Sequence, residues 1–131
     1  MVRQTRRSGC PLSLALDILG DAWTLLVVRD VLFKRLRTFN QFLEAGEGIA
    51  SNVLADRLAR LEEAGILSRR PHDGDGRRVV YGLTRKGLDL APALVELILW
   101  SDRHNDTDAP RRTIRSMRTD RDAFVRALTK R

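Results

Sequence analysis

The side chains best placed to do chemistry together in this sequence are an amide, a hydroxyl and a set of guanidinium groups. Ser51, Asn52, Ala55, Asp56 and Arg57 fall within about two helical turns and lie off the apolar stripe Leu54, Leu58, Leu61. An Asn amide pairs with adenine, and an Arg fork with guanine, through two hydrogen bonds each, so this spacing suits the reading of base edges. Arg60, farther along, is placed for phosphate. Arg69, Arg70, Arg77 and Arg78 flank the turn His72-Asp73-Gly74-Asp75-Gly76. Arginines on a thin protruding loop fit a narrow, negative minor groove or the phosphates beside it.

Other chemistry finds less support. His72 and His104 lie far apart on different elements and not in metal-ligand spacing. Gly74 and Gly76 sit between two strand patterns, which is hairpin chemistry and not a nucleotide fingerprint. Asp73 and Asp75 are paired carboxylates, but turns favour Asp in any case. No Ser/His/Asp or Cys/His set stands out, so no enzyme, no metal and no cofactor is expected. Cys10 precedes a helix, with Arg3, Arg6 and Arg7 upstream. A helix dipole and nearby cations both lower a thiol pKa, so Cys10 reads as a redox or electrophile sensor. The competing reading is a small packing residue beside Pro11. A single cysteine excludes an internal disulfide framework and fits a reducing, cytoplasmic setting.

The whole-chain balance agrees with a polyanionic partner. The 131 residues suit one domain with a short tail, and a 43% hydrophobic content is enough for a core. Lys and Arg number 24 against 17 Asp and Glu, a net charge of +7. A surplus of that size points to nucleic acid or an anionic membrane surface. The charge is uneven. Residues 51–86 carry eight basic and five acidic side chains, residues 87–110 one and five, and residues 111–131 eight and two. A membrane-surface helix would combine basic and apolar residues on one element. Here they are separated, which favours nucleic acid. No apolar run approaches the roughly 18–20 residues of a membrane span. The basic Met1–Arg7 stretch is followed by no small-residue cleavage site, so no signal peptide is expected.

The elements that must position these groups can be read in order. Leu12–Leu19 is a short apolar helix stopped by Gly20. Asp21 can cap a helix from Ala22 to about Arg35, apolar nearly all round and therefore central. Its β-branched pairs would also allow a strand; length favours helix. Thr38-Phe39-Asn40-Gln41 has capping-box form and opens a short helix to about Ala45. Gly46 and Gly48 bracket a turn, Ser51 can cap a helix to about Ala64, and Gly65 is its expected left-handed stop. Ile66–Arg70 and Arg77–Leu83 read as a hairpin, with Val79, Tyr81 and Leu83 on one face. Thr84 can cap a long helix from about Arg85 to His104, bent by Pro92 unless that residue lies in a break near the start. Asn105–Pro110 reads as a linker, and Thr119 can cap a last helix to about Leu128.

A short capped helix, a tight turn, a second helix and a basic hairpin make a winged helix-turn-helix. The expected fold is mainly α with a small β-hairpin wing. The helix containing Leu94, Leu97, Ile98 and Trp100 is apolar over more than half its circumference, and a second copy across a two-fold axis is its economical cover. The alternative is burial of that helix within one monomer.

The sequence also resembles a known family, the HxlR-type transcriptional regulators, a bacterial group related to MarR-type winged helices. The matching residues are Cys10-Pro11, Gly20–Arg29 (GDAWTLLVVR), Arg37–Phe42 (RTFNQF), Gly48–Gly65, Val80–Gly87 (VYGLTRKG) and Leu94, Leu97 and Trp100. The resemblance covers about residues 9–104 and leaves 105–131, a linker and basic C-terminal helix, outside it. Where such chains usually have Lys or Arg before the tryptophan, this one has Ala22. The resemblance implies a homodimer, joined through terminal helices, on pseudo-palindromic double-stranded operator DNA. Some members use a redox switch, so a small-molecule or oxidant effector is a candidate partner. Thr38, Ser51, Asn52, Asp56, Arg57, Arg60, Arg69, Arg77 and Arg78 are the expected DNA contacts. A module that binds DNA without sequence preference, or a protein-interaction module, remains the alternative.

Overall fold

In the computed structural model, which describes residues 7–131, Pro11 opens the first helix, α1 (Pro11–Leu19), where its fixed φ suits the first turn. The second, α2 (Thr24–Leu32), is shorter at both ends than its apolar pattern predicts. Trp23, not Asp21, is its N-cap; Asp21 holds the preceding turn, its carboxylate accepting from the backbone N–H of Trp23 (2.8 Å) and of Thr24 (3.0 Å). After α2 the chain reverses through Arg35, at φ 58. A non-glycine side chain there strains the backbone. The Arg35 guanidinium is held in turn by the carbonyls of Leu128 (3.2 Å) and Lys130 (3.4 Å).

The helix pair α3 (Phe39–Leu43) and α4 (Ser51–Glu63) follows. Ala50 is the N-cap of α4 and Ser51 its first helical residue, so the helix starts one position earlier than the Ser51 hydroxyl suggested. Gly65, at φ 77, ends α4 in the left-handed conformation that a side chain would resist. Two antiparallel strands form the wing, β1 (Leu67–His72) and β2 (Asp75–Leu83), paired from Leu67↔Leu83 to Pro71↔Val79 with an irregularity at Pro71/His72. Tyr81 and Leu83 face the core, and Tyr81 packs edge-on against Phe42. Val80, not Val79, is the buried valine of β2. The backbone N–H of Tyr81 donates to the carbonyl of Arg37 (2.7 Å), so the segment before α3 borders the sheet.

The predicted long helix is two helices. Thr84 caps α5 (Arg85–Leu88), the chain breaks at Asp89-Leu90, and Pro92 lies in the first turn of α6 (Ala91–His104). Gly87 seats α5 on the sheet. A Cβ there would lie 2.4 Å from the carbonyl oxygen of Ile66 and 2.8 Å from Leu83, so α5 rests directly on the strand entrance. The hydroxyl of Thr84 donates to the Gly65 carbonyl (2.5 Å) and Lys86 to that of Ala64 (2.7 Å), satisfying the end of α4. One apolar cluster joins α2, α3, α4, the sheet and the start of α6, including Val28, Leu32, Phe42, Leu54, Leu58, Leu61 and Leu94.

Residues after 104 are more ordered than a linker and one helix. They form α7 (Arg111–Thr119) and α8 (Arg121–Thr129), and Asp120, not Thr119, caps α8 by accepting from Ala123 N–H (3.0 Å). The arginine density of the tail conceals an amphipathic period: Ile114 and Met117 are buried against Val95 and Leu99 of α6. Phe124 reaches Phe33, the C-cap of α2. Asp102 anchors the assembly, with its side chain 4% exposed. It receives the Arg111 guanidinium at 2.5 and 3.0 Å and the hydroxyl of Thr107 at 2.5 Å. The Arg111 fork and that hydroxyl hold its carboxyl down at about 2. A depressed folded value means the contribution is complete above the unfolded value of about 3.9 and fades as pH falls toward the folded one. Asp102→Asn is therefore expected to speed amide exchange across 111–119 at neutral pH while leaving α4 unchanged. Lowering the pH through about 2 should shrink and then erase the difference between variant and parent.

Candidate nucleic-acid interface

The interface is built on the turn between α3 and α4. Thr38 and Gln41 complete the capping box. Thr38 Oγ1 accepts from Gln41 N–H (3.3 Å), and Gln41 Oε1 accepts from the N–H groups of Thr38 (3.1 Å) and Arg37 (2.7 Å). Gly46 and Gly48 turn the chain at φ 100 and 75. With Leu54, Leu58 and Leu61 buried, the opposite face of α4 presents Ser51, Asn52, Ala55 and Asp56 to solvent at a helix N-terminus. Unpaired backbone N–H groups and the helix dipole there favour a phosphate, while Asn52 and Ser51 remain open for base edges.

Arg57 is placed otherwise than its spacing suggests. Its side chain is 19% exposed, and its Nε donates to Asp21 Oδ1 (3.0 Å) while Nη1 donates to Asp56 (2.5 Å). Burial opposes the Asp21 charge, yet hydrogen bonds from the Thr24 hydroxyl, Trp23 N–H, Arg57 and Thr24 N–H outweigh it, holding the carboxyl well below the carboxylate range. Asp21 in turn raises the Arg57 pKa. Arg57 thus ties α4 to the N-terminus of α2 and does not project freely with Asn52. No spacing rule could have revealed this, since the partners are 36 residues apart. Arg60 is half exposed and lies 3.8 Å from Asp56. A second bridge fixes the α3–α4 turn: Arg29 pairs with the buried Asp30 (2.7 Å) and with Glu47 (2.8 Å).

The wing carries Arg69, Arg77 and Arg78, all exposed. The paired strands keep them beside the turn at Asp73-Gly74, where Gly74 adopts φ 87.

The four residues expected at a dimer surface divide. Leu94 is 5% exposed and belongs to the core, and Ile98 packs partly against Val95 and Leu99. Leu94 faces the core shared with α2 and α4, and Ile98 turns toward the second buried side that α7 and α8 give α6. Leu97 (51% exposed) and Trp100 (60%) remain outside. They border an open groove of about 440 Å³ with Glu96 and Arg103. Helix α1 exposes Leu12, Leu16 and Ile18, a feature its short apolar pattern did not announce.

Cys10 is an exposed free thiol at the N-cap of α1. Arg7 pairs with Asp17 (3.1 Å), and the expected contributions of Arg3 and Arg6 lie outside the described residues.

With this geometry in place, comparison with known proteins decides the family. A model of the HxlR-like helix-turn-helix family matches residues 18–109. The chain belongs to the HxlR-like family. An HTH-type transcriptional regulator of Mycobacterium tuberculosis is 40% identical over 90 residues, covering 69% of this chain and 56% of the relative. The aligned region is thus little more than half of that protein. The reduced form of the transcriptional regulator YodB from Bacillus subtilis superposes with a TM-score of 0.61 at 30% identity, over 74% of this chain and 95% of that one. The oxidized form of the redox regulator HypR gives 0.66 at 26% identity, over 75% and 100%. These matches make the hairpin the wing of a winged helix-turn-helix in this HxlR-like chain. Among the described residues, no single helix is long and apolar enough to cross a membrane.

Proposed function

We propose that this HxlR-like protein is a cytoplasmic, homodimeric, sequence-specific DNA-binding transcription regulator that responds to an effector or redox signal. The observation that carries the reading is the exposed face of the first two turns of α4, where Ser51, Asn52 and Asp56 stand clear of the core beside an arginine-bearing wing. In this reading α4 enters the major groove. Asn52 reads a base edge, Ser51 and Asp56 add donor and acceptor chemistry, and Thr38, Arg60, Arg69, Arg77 and Arg78 contact the backbone or minor groove. The exposed apolar residues of α1 and α6 support pairing of two copies about a two-fold axis, which would set two α4 helices on half-sites about 34–36 Å apart. The experiment is a gel shift of the full chain on duplexes containing its own upstream region, in competition with random duplex. Cognate DNA should survive competitor that removes non-specific complexes.

The wing supplies a separate expectation. Replacing Arg69 and Arg78 by Gln should weaken binding to all sequences and reduce the slope of log K against log salt by about 0.9 per lost phosphate contact. An unchanged slope would remove the wing from the interface.

Cys10 is the candidate switch. The similarity to a redox regulator and the exposed thiol on α1, beside the proposed pairing surface, favour it. With one cysteine per chain, oxidation by diamide would form a disulfide between two Cys10 thiols, one from each protomer, the diazene taking up the two hydrogens and two electrons. Diamide should then change operator affinity in the parent and leave Cys10→Ser unaffected, with reduced-state binding alike in both. A response retained by Cys10→Ser would reject the switch.

A further inference from the structure

On the outer face of the wing sheet, away from α4, lies an open cleft of about 400 Å³ between the end of α2, the strands and the last residues of the chain. Four arginines line it, Arg35, Arg37, Arg70 and Arg131, and among its described lining residues there is no Asp or Glu. Arg35 and Arg131 are held by carbonyls at the end of α8. The guanidinium groups of Arg37 and Arg70 have no hydrogen-bond or ion-pair partner among the described residues. The floor is hydrocarbon: Val31, Val80 and Leu83, of which Val31 and Val80 are 5% exposed. Arg35 keeps its place at the rim with a positive φ, the strained backbone that ligand clamps often show.

We propose that this cleft binds a small organic carboxylate with a hydrocarbon body. Like charges gathered around one cleft repel, and an anion among them relieves that repulsion. Guanidinium is the group that matches a carboxylate with two parallel hydrogen bonds, and Arg37 and Arg70 have that capacity unspent. The apolar floor distinguishes the ligand from a free inorganic anion, since it rewards burial of a hydrocarbon tail. The volume lies in the range of small-molecule sites. The cleft touches both the wing and the end of α2, so an occupant would bias the angle between the wing and the helices that support α4. This deepens the effector part of the functional reading and rests on it only for that consequence. Binding itself is measured without DNA.

The test is thermal unfolding of the full-length protein at fixed ionic strength with hexanoate, hexanamide or inorganic phosphate. A ligand that binds only the folded state raises the midpoint as its concentration passes Kd. Hexanoate at about 10 mM is expected to raise it, with hexanamide and phosphate giving less than half the shift. Arg70→Gln and Arg37→Gln should each weaken hexanoate binding at least about tenfold, in line with loss of a charge-assisted pair. Arg112→Gln, on the exposed side of α7, should leave it unchanged and controls for net charge. No shift with hexanoate, or an equal shift with phosphate, would overturn the proposal. So would an Arg70→Gln variant that binds hexanoate normally but loses DNA affinity, which would make the cleft a DNA-backbone contact. Loss of DNA binding in the parent with hexanoate binding intact would instead count against the regulator reading alone.

Discussion

Leu97→Asp is expected to yield a folded monomer whose affinity for a two-half-site operator falls by at least about 100-fold, because the second half-site is no longer engaged by the same complex. The residue is half exposed in the single chain, so the charge costs the monomer little, whereas at a paired surface it would be buried without a partner. Sedimentation should show the parent as a dimer and the variant as a monomer at the same micromolar concentration, with matching far-ultraviolet circular dichroism. Leu94→Asp makes the contrast. Leu94 lies in the core, so that variant should unfold rather than dissociate. A parent that sediments as a monomer would remove the dimer from the account.

Asn52→Ala and Arg57→Ala should both weaken operator binding, but with different signatures. Asn52 stands free on the first turn of α4, and its loss should cost about 1–3 kcal/mol on the cognate site and relax discrimination at one base pair. Arg57 acts through position. Its guanidinium joins Asp21 and Asp56, so Arg57→Ala lets α4 shift against α2 and should weaken all sequences alike. Asp21→Ala should produce the same uniform loss, and the double variant should be no worse than either single one, as expected for partners in one interaction. The Asp21 carboxyl is held far below its ordinary value, so the clamp is complete above the unfolded carboxyl pKa of about 3.9 and weakens as pH falls below it. Between pH 5 and 8, about the range of DNA-binding assays, the clamp should not titrate. Specificity profiles of the two variants on single-base operator changes check the distinction. A relaxed profile for Arg57→Ala would return that residue to base reading.

Much of this arrangement was legible because it is local. Thr38 and Gln41 form their capping box, Gly65 stops α4 with positive φ, and the Leu54, Leu58, Leu61 stripe is buried as its period demanded. The exposure of Asn52 followed from that stripe. What escaped depends on contacts between distant residues. Arg57 has the right spacing to face solvent, but a carboxylate at the N-terminus of α2 captures it. Leu94 and Leu97 belong to one apolar run, and only the packing of α6 between the core and α7 decides which faces inward. The break before α6 was one of the two outcomes that Pro92 allowed, since a proline suits a first helical turn and not a helix interior. In α7 four arginines stand against two apolar residues, Ile114 and Met117, which three residues apart mark one helical face too short for a clear period.

The central claim, that α4 reads sequence from within a dimer, is tested most directly by selecting bound duplexes from a random-sequence pool with the reduced full-length protein at near-physiological salt. The account predicts enrichment of an inverted repeat whose half-site centres are about 10 base pairs, one helical turn, or a small multiple of it apart. Asn52→Ala should degrade one position in each half-site symmetrically. Recovery of duplexes with no common motif, bound as tightly as the starting pool, would contradict it and leave a module that grips the DNA backbone without reading it.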